Sequence, residues 1–268
     1  MQFVDTHCHI QSVGLTEGER STRELWAKAP GLTGDDVVAH AVADDVTTMI
    51  CVGCDIADSE LAIDFVRERT GCYASIGIHP HEAALNVDRI EEFAALATQS
   101  KVVAIGECGL DYFYEHSPRE QQIVVLKAQL DIAVQAGLPV IFHVREAFAD
   151  FWPIFDAYAG KIRGVLHSFT DSQTNLDEAV KRGLYIGVNG IATFAKEPKQ
   201  LSVYQSIPDD HLLLETDAPF LTPVPFRGKI NEPKQIRTVA DFLSQLRDQD
   251  LTQVAEVTTR NAKALFDL

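Results

Sequence analysis

The chain has 268 residues, 46% of them hydrophobic, with a net charge of −16. A surface this acidic argues against broad, non-specific duplex binding, which relies on Lys and Arg neutralising phosphates; it leaves room for a small basic site that handles one phosphate. No apolar run reaches the roughly 18 residues needed to span a bilayer, and no charged flank precedes an apolar signal core at the N-terminus, so the expected setting is the cytoplasm, with no membrane contact and no obligate protein partner. The odd set of five cysteines (Cys8, Cys51, Cys54, Cys72 and Cys108) suits a reducing compartment. "CVGC" at 51–54 has no second pair to complete a zinc site and is read as packed thiols. The length allows one large core or two small ones, and a single domain, 1–268, is expected.

In chain order, the first apolar run is "FVDTHCHI" (3–10), with Asp5, His7 and His9 on alternate positions. Alternation in a strand puts them on one face, and such a face is costly to bury unless its polar groups are paired or bind a metal. "VTTMICVGC" (46–54) reads as a second strand, followed by a helix over 59–69 with Ser59 as its cap. "CYASIGIHP" (72–80) is a third strand, "RIEEFAALATQ" (89–99) a helix and "KVVAIGECG" (101–109) a fourth strand. A long helix over 117–137 has Ser117 as cap, Pro118 at its first position and Gly137 as its stop. "LPVIFHV" (138–144) and "IRGVLHSF" (162–169) are strands, "NLDEAVKRG" (175–183) a helix, and "LYIGVNG" (184–190) and "HLLLETDAP" (211–219) the last two strands.

Strands alternating with helices imply a parallel sheet. Eight such units at this length predict an α/β fold of the (β/α)8 TIM barrel type, with a doubly wound open sheet as the alternative. The predicted strands end near residues 9, 53, 79, 107, 143, 167, 189 and 217. His7 and His9 then end the first strand, Glu107 the fourth, His143 the fifth, His167 the sixth and Asp217 the eighth. Barrel enzymes build their sites on that C-terminal face. Four imidazoles and two carboxylates exceed what one tetrahedral ion needs, so the pattern predicts two divalent ions with a shared carboxylate.

Seven stretches, "DTHCH", "GIHPHEA", "AIGECGLDY", "LPVIFHVREA", "VLHSF", "LLLETDAPFLTP" and "RGKINEP", occur in one order between Asp5 and Pro233. With them the sequence resembles the TatD family of metal-dependent deoxyribonucleases, within the amidohydrolase-like (β/α)8 hydrolases. The resemblance implies an enzyme that hydrolyses phosphodiester bonds, with single-stranded DNA or 3′ ends as substrate. It also implies two divalent ions (Mg, Mn or Zn) held by His7, His9, Glu107, His143, His167 and Asp217, the same six that the strand ends select. Glu107 is the expected bridging carboxylate, and Asp217 the expected proton acceptor for the attacking water as well as a ligand.

Six more residues are expected on the substrate side: His79 and His81 after the third strand, Asp111 after the fourth, Arg145 after the fifth, and Arg227 and Lys229 after the eighth. Arg145 has the bidentate fork that grips phosphate. Tyr112, Phe113 and Tyr114 offer rings to bases, or to lid packing. Asp5 and Glu215 are expected to support the ligands. Two features depart from the family pattern: the long loop 11–35 after the first strand, and Ile230 where a basic or polar residue often stands. A small-molecule amide, lactone or phosphoester hydrolase of the same superfamily is the competing reading. Many of those enzymes bridge their ions with a carboxylated Lys, and Glu107 stands there instead.

Overall fold

The computed structural model describes residues 1–18 and 20–268. Among the described residues there are eight strands: β1 (Phe3–Cys8), β2 (Val46–Val52), β3 (Cys72–Ile76), β4 (Val102–Asp111), β5 (Val140–Arg145), β6 (Gly164–Leu166), β7 (Tyr185–Val188) and β8 (Leu212–Leu214). They form one parallel sheet in the order β1-β2-β3-β4-β5-β6-β7-β8, with helices between them. That sequential order is the topology of a (β/α)8 barrel. Among the described residues no helix is long and apolar enough to cross a membrane.

By internal packing the chain divides into two compact units, Met1–Ile50 with Ser168–Leu268, and Cys51–His167. In the first, β7 and β8 pair in parallel, Ile186 with Leu212 and Val188 with Leu214. Cys8 makes a parallel bridge to Ala218, just past β8. Helices Ile236–Arg247 and Leu251–Phe266 pack on β1 and β8. The former buries Ile236, Val239, Ala240 and Leu243, one face at helical spacing. Asp250 caps the latter by accepting from Thr252 N. The predicted loop 11–35 contains a helix, Arg20–Trp26, whose Thr22 and Trp26 are buried one turn apart. The Trp26 indole N–H donates to His9 O at 2.9 Å.

In the second unit, β4 pairs with β3 and with β5. Its register against β5 shifts between Ile105, opposite Val140, and Cys108, opposite Phe142. Three residues on β4 therefore span two on β5, and Glu107 lies inside this irregularity, a device that re-aims side chains beside active sites. Helix Arg119–Ala136 buries Gln122 and Gln129, two turns apart. Gln129 accepts from Ile78 N at 2.8 Å and donates to Ile78 O at 3.0 Å. Gln122 does the same for Asp111, at 2.8 and 3.1 Å. These amides satisfy backbone groups that the sheet leaves open.

Several boundaries differ from the sequence reading. β4 continues to Asp111 and does not end at Glu107, while β8 stops at Leu214, before Asp217. The helix expected from Ser59 starts at Ile56 with Asp55 as cap; Ser59 Oγ instead accepts from Gly77 N at 3.2 Å. Ser117 does not cap the long helix, which follows Pro118. Its hydroxyl donates to His81 O at 2.7 Å and accepts from Ala84 N at 3.0 Å. Residues 89–99 hold only a short helix, Ile90–Ala94, with 3-10 turns on either side.

Candidate active site

In the first unit, His7 is the next-to-last residue of β1, and His9 lies one residue beyond the strand. Asp217 comes three residues after β8 and has φ +58. A left-handed backbone is uncommon outside glycine. Here it is fixed on both sides: Asp217 N donates to His7 O at 2.8 Å and His9 N donates to Ala218 O at 2.7 Å. Asn231 Nδ2 donates to Thr216 O and Phe220 O, at 2.9 and 2.7 Å, clamping the same segment. Asp5 accepts from His7 N and Thr216 N, and from the Thr216 hydroxyl. Burial, only partly offset by these bonds, pushes the Asp5 carboxyl up to about 8.

The donor atoms of His7, His9 and Asp217 converge. Nε2 of His7 and Nε2 of His9 are 3.2 Å apart, and Asp217 Oδ1 is 3.3 Å from His9 Nε2 and 3.7 Å from His7 Nε2. Two atoms bound about 2.0–2.1 Å from one ion lie about 3.4 Å apart at the tetrahedral angle, and about 2.9 Å at a right angle. The spacing fits a common ion, and two imidazoles with a carboxylate suit Zn or Mn. Glu215 accepts from Ser168 N at 2.7 Å and from Asn189 Nδ2 at 3.1 Å. Gly187 leaves room for it, since a Cβ there would meet Glu215 Oε2 at 2.3 Å.

The second unit gathers a carboxylate and imidazoles as well. Glu107 Oε1 lies 2.8 Å from His143 Nδ1, 3.5 Å from His79 Nε2 and 3.8 Å from His167 Nε2. His79, Glu107 and His143 each offer a donor atom within 4.8 Å of the others, a group able to hold a metal ion. His79, which the sequence puts on the substrate side, therefore stands among candidate ligands. Asp111 Oδ2 meets His143 Nε2 and His81 Nε2, both at 2.9 Å. Gly109 pairs with His143 on β5 at close range; a Cβ there would lie 1.8 Å from His143 O.

Charge in this cluster is uneven. Burial, opposed by the neighbouring Glu107, leaves His79 low, at about 4. Burial also pulls on His143, but its bonds to Asp111 and Glu107 outweigh that and hold it near 9. Burial would raise Asp111, yet the bonds from His143, His81 and Tyr114 N keep it well below the usual carboxylate range.

The remaining substrate-side candidates contact aromatic rings. Arg145 lies over Phe113 and Tyr114, at 4.3 and 5.1 Å from the centroids. Arg227 lies over Phe194 at 3.9 Å, and Lys229 is 5.7 Å from the Phe226 centroid. The sequence reading does not single out Thr216, Asn231, Gln122 or Trp26. Their work is to hold backbone at positions that only the folded chain brings close.

The family model for TatD related DNase matches residues 4–267. The uncharacterized metal-dependent hydrolase YabD of Bacillus subtilis is 37% identical over 267 residues, covering 98% of each chain. The 3′-5′ ssDNA/RNA exonuclease TatD of Cronobacter sakazakii is 36% identical over 239 residues, 87% of this chain and 91% of the relative. The crystal structure of YJJV, a TatD homolog from Escherichia coli K12, superposes with a TM-score of 0.85 at 27% identity, over 99% of this chain and 98% of the other. A family match across nearly the full length, joined to relatives above one third identical, means that the chain belongs to the TatD family.

Proposed function

We propose that the protein is a metal-dependent phosphodiesterase that shortens single-stranded DNA from its 3′ end, working in the cytoplasm as a single domain. The observation that carries this reading is the convergence of His7 Nε2, His9 Nε2 and Asp217 Oδ1 at 3.2 to 3.7 Å, the spacing of ligands around one divalent ion. The second cluster supports a second ion, with Glu107, His143 and His167 as its ligands and His79 beside them. The name of the Cronobacter relative, a 3′-5′ ssDNA/RNA exonuclease, supports the choice of substrate.

Divalent ions, when bound, supply Lewis acidity towards phosphodiester oxygens and make water more acidic. The chain's own residues do the rest. Asp217 accepts the proton of the attacking water, and its backbone, tied to His7 O, keeps that carboxylate aimed. His81 and Asp111 orient His143 through Asp111 Oδ2. Arg145, Arg227 and Lys229 neutralise phosphate charge on an otherwise acidic surface.

A matrix of metals and substrates tests the proposal: Mg, Mn, Zn and Co against single-stranded DNA, duplex DNA, RNA and small esters. The expected result is hydrolysis of single-stranded DNA that EDTA abolishes. Ester hydrolysis with no nucleic acid cleaved in any metal overturns it.

A further inference from the structure

Past β4 the chain turns through Tyr112, Phe113 and Tyr114. Phe113 is 51% exposed and Tyr114 52%. Aromatic rings carry large apolar area that folding normally buries, so two adjacent half-exposed rings need a reason. They are not loose. Both backbone N–H groups donate to Asp111 Oδ1, at 3.0 and 2.9 Å. The two rings meet edge to face at 4.7 Å between centroids. The Tyr114 ring also runs parallel to His116, at 5.8 Å and 4°.

Arg145, at the end of β5, covers both rings with its guanidinium. Among the described residues that group makes no ion pair or hydrogen bond. A stacked guanidinium uses its flat face on the rings and keeps its N–H donors in plane for an anion. Glu115, which follows Tyr114, is engaged by Arg119, and Asp150 accepts from the Tyr112 hydroxyl. The turn therefore joins an exposed aromatic surface to an available phosphate donor. The other oxygen of the same Asp111 carboxylate holds His143, which bonds Glu107.

We propose that Phe113, Tyr114 and Arg145 form a subsite for one unpaired nucleobase and its phosphate, beside the Glu107–His143 cluster. The inference rests on the phosphodiesterase reading and adds a source of strand selectivity. A base inside a duplex has both faces covered by its neighbours, whereas an unpaired terminal base presents a free face. Every base has such a face, so the subsite tolerates any sequence.

The test uses the metal-loaded protein and two phosphorothioate five-nucleotide strands, one with all its bases and one abasic at its three 3′-terminal positions. Fluorescence anisotropy measures affinity for the parent, for the double variant Phe113→Ala/Tyr114→Ala, and for Tyr114→Phe. The parent is expected to bind the base-bearing strand at least about tenfold tighter than the abasic one. The double variant should lose about 10- to 100-fold on the base-bearing strand and less than about twofold on the abasic one. Tyr114→Phe, which keeps the ring, should behave as the parent. Equal weakening on both strands, or a parent indifferent to bases, overturns the subsite. Kinetics on ordinary phosphodiester DNA separates the two ideas. If base-dependent binding disappears in the variant but the parent cleaves nothing, the hydrolase reading falls and the subsite stands. If the parent cleaves DNA and the variant's KM is unchanged, the subsite falls and the hydrolase reading stands.

Discussion

Asp5 and Thr216 are 211 residues apart in sequence, yet the Thr216 hydroxyl donates to Asp5 Oδ2 at 2.5 Å and its N–H to Asp5 Oδ1 at 2.9 Å. Oδ1 also accepts from His7 N. One buried carboxylate thus ties the strand that carries His7 to the segment that carries Asp217. Asp5→Ala should leave buried donors unsatisfied, each costing about 1–3 kcal/mol. A stability loss of roughly 3 kcal/mol in urea unfolding is expected, with weaker Zn binding by calorimetry. Asp5→Asn keeps one acceptor and should lose less. Unchanged stability and Zn affinity in Asp5→Ala would show that the brace is dispensable.

His143 should give the metal-stripped protein a pH-dependent stability. Its pKa rises from 6.5 to about 9 in the fold, so the folded state holds this proton more tightly than the unfolded chain. The stabilisation is whole below about pH 6.5 and fades as pH climbs through 9. Asp111, held low, contributes above the usual carboxylate pKa and loses its effect only in acid. Asp5, raised from 3.8 to about 8, also loses its stabilisation as pH rises to about 8, so in EDTA the urea midpoint should fall up to about pH 9, and Asp111→Asn should remove the part of that slope between about pH 6.5 and 9 that His143 contributes. Equal slopes in the parent and in Asp111→Asn over this interval would mean that the imidazole is neutral.

The strands were the legible part of this chain. Runs such as "VTTMICVGC" and "KVVAIGECG" are rich in apolar or β-branched residues, with Gly or charge at their edges. Their ends were less legible. Glu107 reads as a terminus because it is a charge after "VVAIG", but the register shift absorbs it and β4 runs on to Asp111. Periodicity carries no signal for the positive φ of Asp217, which depends on contacts with His7 and Ala218. The buried Trp26 was invisible for a related reason: one large ring makes no periodic pattern, and its partner is a backbone carbonyl. Residue types chosen for their chemistry could be read locally. The groups that hold them in place could not, because Thr216, Gln122 and Asn231 act through backbone atoms distant in sequence.

Glu107→Gln should reduce metal loading with the fold intact. Gln keeps the side-chain shape but loses the charge that offsets a cation, and His143 Nδ1 at 2.8 Å would still find an oxygen. Elemental analysis after Mn or Zn loading should give fewer ions per chain than the parent, with an unchanged circular dichroism spectrum. Full occupancy in the purified variant would remove Glu107 from the ligand set.

Asp217→Asn separates proton transfer from binding. The amide oxygen still coordinates weakly, but an amide takes no proton at neutral pH. A positioned general base contributes about 10²–10⁴-fold, and a weaker ligand adds to the loss. Turnover on single-stranded DNA should fall at least about a thousandfold, with oligonucleotide affinity changed by less than about tenfold. Arg145→Ala should show the opposite balance, since its guanidinium lies over two exposed rings and presents donors to phosphate. Its KM should rise more than its kcat falls. Steady-state kinetics with short single strands, at saturating metal, reads both variants. Near-parental turnover in Asp217→Asn would mean that another group takes the proton.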